Sequence, residues 1–144
     1  MASTFPTQQP LNLVMPIAAG ALPSLVAALK PAPGGADPLH TALTRLGNVH
    51  FAQFLFLENN TRLGVFTIFD GEFDDYIVSF VEHIGDIFNA ILAHIDGAAG
   101  LIPVQEHRDE FLAFIRAHDL QGLGEFSAYP DRRVFDIKDA LEIR

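Results

Sequence analysis

The sequence predicts an α+β domain: a four-stranded antiparallel sheet with helices on one face and extra helices near the C-terminus. Three observations predict it. Val49 to Glu58 and Arg62 to Asp70 are Phe-rich runs of strand formers joined by Asn59-Asn60-Thr61, and Asn tolerates the positive φ of a hairpin turn. Phe73 to Ile95 places apolar residues at every third and fourth position, the period of a helix with one wide buried stripe. The chain has 144 residues, 49% of them apolar, and no Cys, so one core must hold the fold without disulfides. Residues 1–10 read as a disordered tip and 11–144 as one domain.

Leu11 to Ile17 is a short apolar run that suits a buried strand, with Pro16 at its end. Leu22, Leu25, Val26 and Leu29 have helical spacing, with Pro23 in the first turn. Pro31 to Pro38 is a flexible loop by composition, followed by a short helix from Pro38 to Leu46 that ends at Gly47. In the hairpin, Phe56 is expected opposite Leu63, Phe54 opposite Val65, Ala52 opposite Thr67 and His50 opposite Phe69. Asp70, Glu72, Asp74 and Asp75 precede the long helix, where carboxylates suit free amides and the dipole. A helix from Pro103 to His118, a last strand over Glu125 to Tyr129 and a terminal helix from Arg133 to Arg144 complete the chain.

The resulting order, strand, helix, strand, strand, helix, strand, is the βαββαβ or ferredoxin-like plan. Both faces of its hairpin are apolar. Helices cover one face only, so the other needs a cover, and a homodimer supplies it. Because Gly64 allows close approach, Phe51, Leu55, Leu57, Phe66 and Ile68 are assigned to the helix side. His50, Phe54 and Thr67 then lie on the open side.

Composition excludes several functions. Nine Lys and Arg against eighteen Asp and Glu give a formal charge of −9, which opposes nucleic acid and anionic lipid. Pro16 and Pro23 interrupt the uncharged N-terminal stretch, and no basic residue precedes it, so no membrane span is expected and the cytoplasm is the expected compartment. Nothing in the chain has the pattern of a P-loop, a GxGxxG loop, a GxSxG elbow, an HExxH pair or a calcium loop, so no metal site and no catalytic residue is assigned.

Six His are the side chains suited to neutral-pH proton transfer. His40, His83, His94 and His118 sit at helix ends or outside an apolar stripe. His50 lies among apolar strand residues, and His107 shares a helical face with Phe111 and Phe114. The candidate ligand-binding set is therefore His50, Phe54, Thr67, His107, Arg108 and Tyr129, the last two on elements flanking the sheet. The expected function is binding of a small hydrophobic ligand, or assembly, through an apolar cavity or interface on the open face.

The runs LNLVMPI-x-x-G, NVHFAQFLFLE and TIFDGEFDDYIVSF, over residues 11–95, resemble the dimeric α+β-barrel group. VHFAQF and FDGEFDDYI resemble recurring phrases of a bacterial branch of it. The resemblance implies the ferredoxin-like fold and, by analogy with fold relatives, an alternative function as a small oxidoreductase that is cofactor-free or haem-dependent, with His50 or His107 as the axial candidates.

Overall fold

The computed structural model describes residues 6–30 and 37–143. Strand β1 (Gln9–Pro16) is followed by helices α1 (Leu22–Leu29) and α2 (Pro38–Leu46), strands β2 (Val49–Leu57) and β3 (Arg62–Phe69), and the long helix α3 (Phe73–Leu92). Two single 3-10 turns, Ala99–Leu101 and Val104–Glu106, lead to α4 (Arg108–His118) and α5 (Val134–Ala140). The expected loop at Pro31 to Pro38 lies, as far as Ala36, outside the described residues, as do the first five residues of the expected tip. Asp37 caps α2 by accepting from Leu39 N at 3.1 Å and His40 N at 3.2 Å. Gly47, at φ 71°, closes it in the left-handed conformation that glycine adopts without a Cβ clash.

The sheet has three strands in the order β1-β3-β2, all antiparallel, and not the four of the ferredoxin-like plan. The expected last strand, Glu125 to Tyr129, does not form, and the reason lies in β1. Backbone groups of Pro10, Asn12, Val14 and Pro16 face away from β3, and the two prolines have no N–H to give. Asp119 Oδ1 takes the Asn12 N–H at 2.8 Å and Leu120 N donates to Asn12 O at 2.8 Å, a bridge at the exit of α4, while Pro16 O accepts from Asp96 N at 2.9 Å, so isolated contacts and not a strand occupy this edge. Beyond it the chain leaves the sheet with Leu123 and Phe126 in solvent.

The hairpin register agrees with the expected pairs Phe56–Leu63, Phe54–Val65 and Ala52–Thr67. It departs at His50, where a bulge puts Val49 opposite Phe69. The faces are reversed from expectation. Leu11, Leu13 and Met15 of β1 join Leu63, Val65, Thr67 and Phe69 of β3 under the helices, so Phe54 and Thr67 belong to the covered side. The space at Gly64 is not filled by a helix: a Cβ there would meet the Phe66 ring at 2.7 Å and Leu57 at 3.1 Å, both on the open face.

Helix α3 packs its stripe on the covered face through Tyr76, Phe80, Ile84 and Phe88, with α4 adding Phe111 and Ile115. It bends at Ile84 (φ −132°), beside Gly85, against which the Gln105 side chain packs. Asn89 accepts from Val104 N at 2.9 Å and donates to Gln105 Oε1 at 3.0 Å, fastening the turn before α4. The expected continuous helix from Pro103 is broken at His107 (φ −135°, ψ 45°).

Thr67, 3% exposed, is satisfied by the Tyr76 hydroxyl at 3.3 Å. Burial pushes the Tyr76 phenol above its ordinary 10.0. Above that pH the unfolded phenol loses its proton while the folded one keeps it. The folded state then binds more protons, so stability falls as pH rises, by up to about 1.4 kcal/mol per pH unit. Urea unfolding between pH 9 and 11 reads this slope, and Tyr76→Phe is expected to flatten it. An unchanged slope in the variant would assign the alkaline loss to other groups.

Candidate functional site

The chemistry-bearing residues meet at the lower end of the sheet, around Asp70. The bulge gives β2 one extra residue, His50, and turns its side chain toward the end of β3. Its Nε2 donates to Asp70 Oδ1 at 2.7 Å, and both side chains are buried, at 6% and 4% exposure. The same Oδ1 accepts from Gln8 N at 3.0 Å, and Oδ2 accepts from Val134 N, the first residue of α5, at 2.8 Å. One carboxylate thus joins the start of β1, the start of β2 and the start of the last helix. Charge-assisted bonds of this kind hold geometry well.

Asp70 does not cap α3, contrary to the reading of its acidic run. Glu72 is the N-cap residue and makes no side-chain cap bond, while Asp74 pairs with Arg116. The carboxylates of Asp74 and Asp75 still lie in the first turn, where the dipole favours them.

A cleft of about 250 Å³ opens beside the His50 ring, between α2, β2 and α5. His40, Thr44 and Lys138 supply its other polar side chains, and Leu43, Val49 and Val134 its apolar walls. Nδ1 of His50 has no hydrogen bond among the described residues, and it is not among the wholly buried unpartnered atoms, of which Asn48 Oδ1 is the single example there. His50 is one of the residues that line the cleft. A second cleft, of about 400 Å³, lies where Asp70 is joined by Asn48, Glu72, Asp75 and Ser79. Bases gather in the first cleft and acids in the second.

The remaining candidates are not gathered here. Phe54 and Thr67 are under the helices. His107 precedes α4, where Nδ1 donates to Pro103 O at 3.0 Å, and Arg108 lies 3.7 Å from Glu82, half exposed. Tyr129 has a 65% exposed side chain that lines a different cleft with Arg132 and Leu141, although its carbonyl accepts from Gln8 Nε2. None of these five lines the cleft of His50. His83, His94, His107 and His118 all use Nδ1–H on the carbonyl four residues earlier, at 2.8–3.1 Å. A carbonyl only accepts, which sets the tautomer. Among the described residues His50 alone of the six has a carboxylate partner.

Sequence reasoning missed His40, Thr44 and Lys138, and it gave Asp70 the wrong task. His40 and Thr44, four apart on α2, share a helix face, a signal that was present; nothing local pointed to Lys138, which arrives from 88 residues beyond His50.

Chemically, the cleft offers a ring nitrogen oriented by a carboxylate, an ammonium and an exposed imidazole. It offers no activated nucleophile: the Thr44 hydroxyl donates to His40 O at 2.8 Å. Among the described residues no three His, Asp or Glu side chains gather as metal ligands. Haem does not fit either, since Nε2 of His50 is held by Asp70 and 250 Å³ is below the usual range for ligands far smaller than a porphyrin. His107 lines none of the clefts described above. Among the described residues no helix is long and apolar enough to cross a membrane. Compared with known families, with curated proteins and with solved structures, the chain matches none.

Proposed function

We propose that the protein works as a self-pairing module, two copies meeting through the open faces of their sheets. The observation that carries this is the make-up of that face. Its cross-strand rows are Pro10–Ile68–Phe51, Asn12–Phe66–Gln53, Val14–Gly64–Leu55 and Pro16–Arg62–Leu57. Phe51 is 74% exposed and Leu55 41%. The only charged residue, Arg62, is at the hairpin end and paired with Glu58.

A second copy suits this face better than another occupant does. Two chains of charge −9 repel except where no charge is presented, and the inner rows present none. A two-fold axis at the centre would bring Phe66, flanked by the amides of Asn12 and Gln53, against its own mate, and a self-complementary patch is what such an axis requires.

Sedimentation velocity at micromolar concentration is expected to give twice the 15.8 kDa chain mass. Leu55→Glu buries a carboxylate in the pair and is expected to raise the dissociation constant at least about 100-fold while leaving the monomer folded. A 16 kDa particle for the unaltered protein at 100 μM would refute the pairing.

A further inference from the structure

We propose that the cleft beside His50 binds a small carboxylic acid with an apolar body. The chain holds eighteen acidic and nine basic residues, yet the lining of this cleft includes His40, His50 and Lys138 and no acid. Lys138 makes no ion pair among the described residues and, unlike Lys30, Arg45 and Arg132, which also make none there but are exposed, it is half-buried. Asp70 is committed beneath the ring: it holds Nε2 and fixes the direction of Nδ1, so the imidazole is oriented before any ligand arrives.

The walls choose between anions. Leu43 comes from α2, Val49 from β2 and Val134 from α5, so three separate elements contribute apolar surface to a cleft that Lys138 and two imidazoles also line. A fully hydrated anion such as phosphate gains nothing from those walls, whereas a carboxylate on an apolar body uses both. The volume of about 250 Å³ equals roughly eight waters at about 30 Å³ each, which suits an acid carrying one ring or a short branched chain. Every lining group comes from one chain, but one of them, Phe51, also belongs to the open sheet face, so the titration is repeated on the Leu55→Glu monomer to separate the site from the pairing.

Titration of the full-length protein with benzoate, followed by calorimetry and by the imidazole resonances of His40 and His50, tests the assignment. Benzoate is expected to saturate and to move both rings. Benzamide, with the same shape and no charge, is expected to bind at least about tenfold more weakly, and Lys138→Met to weaken benzoate by about tenfold while leaving the circular dichroism unchanged. Lys30→Met, which removes an exposed charge outside the cleft, is expected to change the benzoate affinity less than threefold. Equal binding of benzoate and benzamide would overturn the carboxylate, and inorganic phosphate competing on equal terms would overturn the apolar body. Absence of saturable shifts by 20 mM benzoate would overturn the site.

Discussion

Asp70→Ala is expected to lower folding stability by about 3–5 kcal/mol, a large share of the roughly 5–15 kcal/mol typical of a domain. The truncation leaves Gln8 N, His50 Nε2 and Val134 N without their acceptor, and a buried donor left without a partner costs about 1–3 kcal/mol. Water reaches some of these groups once the side chain is gone, which is why the total stays below a simple sum. Asp70→Asn keeps one oxygen and is expected to cost about half as much, because its NH2 then faces a donor. The midpoint of urea unfolding measures both, and amide exchange gives the location. The α5 amides, from Val134 onward, should lose protection first in Asp70→Ala. Uniform exchange across the chain would mean that Asp70 does not anchor that helix.

Phe80→Ala is expected to cost about 3–5 kcal/mol through the cavity it leaves. Phe80 is the middle of a column of rings that crosses the core: Phe69 stacks on Tyr76 at 3.8 Å, Tyr76 meets Phe80 at 4.4 Å, Phe80 meets Phe88 at 5.2 Å, and Phe88 meets Phe111 edge-on at 5.6 Å. The column runs from β3 through α3 to α4, so a gap at its centre loosens the last link as well as the first. Phe88→Ala should therefore be non-additive with Phe80→Ala by about 0.5–3 kcal/mol, since the two share one packing environment. A double-mutant cycle on urea midpoints measures the coupling, and strict additivity would show that the rings pack independently.

The elements that were readable in the sequence are those with strong local chemistry. Asp37, Pro38 and Gly47 bracket α2 where expected, and the hairpin pairs from Ala52 to Phe56 follow from a two-residue period and an Asn-Asn turn. The side of the sheet that meets the helices does not follow from Gly64, because the space there belongs to the Phe66 ring and not to a helix. A better signal was in β1: its odd positions are Leu11, Leu13 and Met15, while its even positions carry two prolines and Asn12, and only the first set makes a core. The missing fourth strand had a readable cause in the same two prolines. Asp70 was not readable, because His50, Gln8 and Val134 reach it over 20, 62 and 64 residues, and no local pattern encodes a meeting of that kind.

Those prolines also govern how far association can go. An unprotected strand edge is a template that reproduces itself, since each added chain offers a fresh edge to the next, and growth of that kind has no natural end. Of the outward positions on β1, Pro10 and Pro16 have no donor and Asn12 is already engaged, which leaves Val14 by itself, so a foreign strand would find no continuous ladder there. The apolar face behaves differently, because a face that has met its mate has nothing left to offer. Contact by face leaves nothing for a third copy to join, and the chain can carry a sheet face of Phe and Leu without its first strand seeding a fibre.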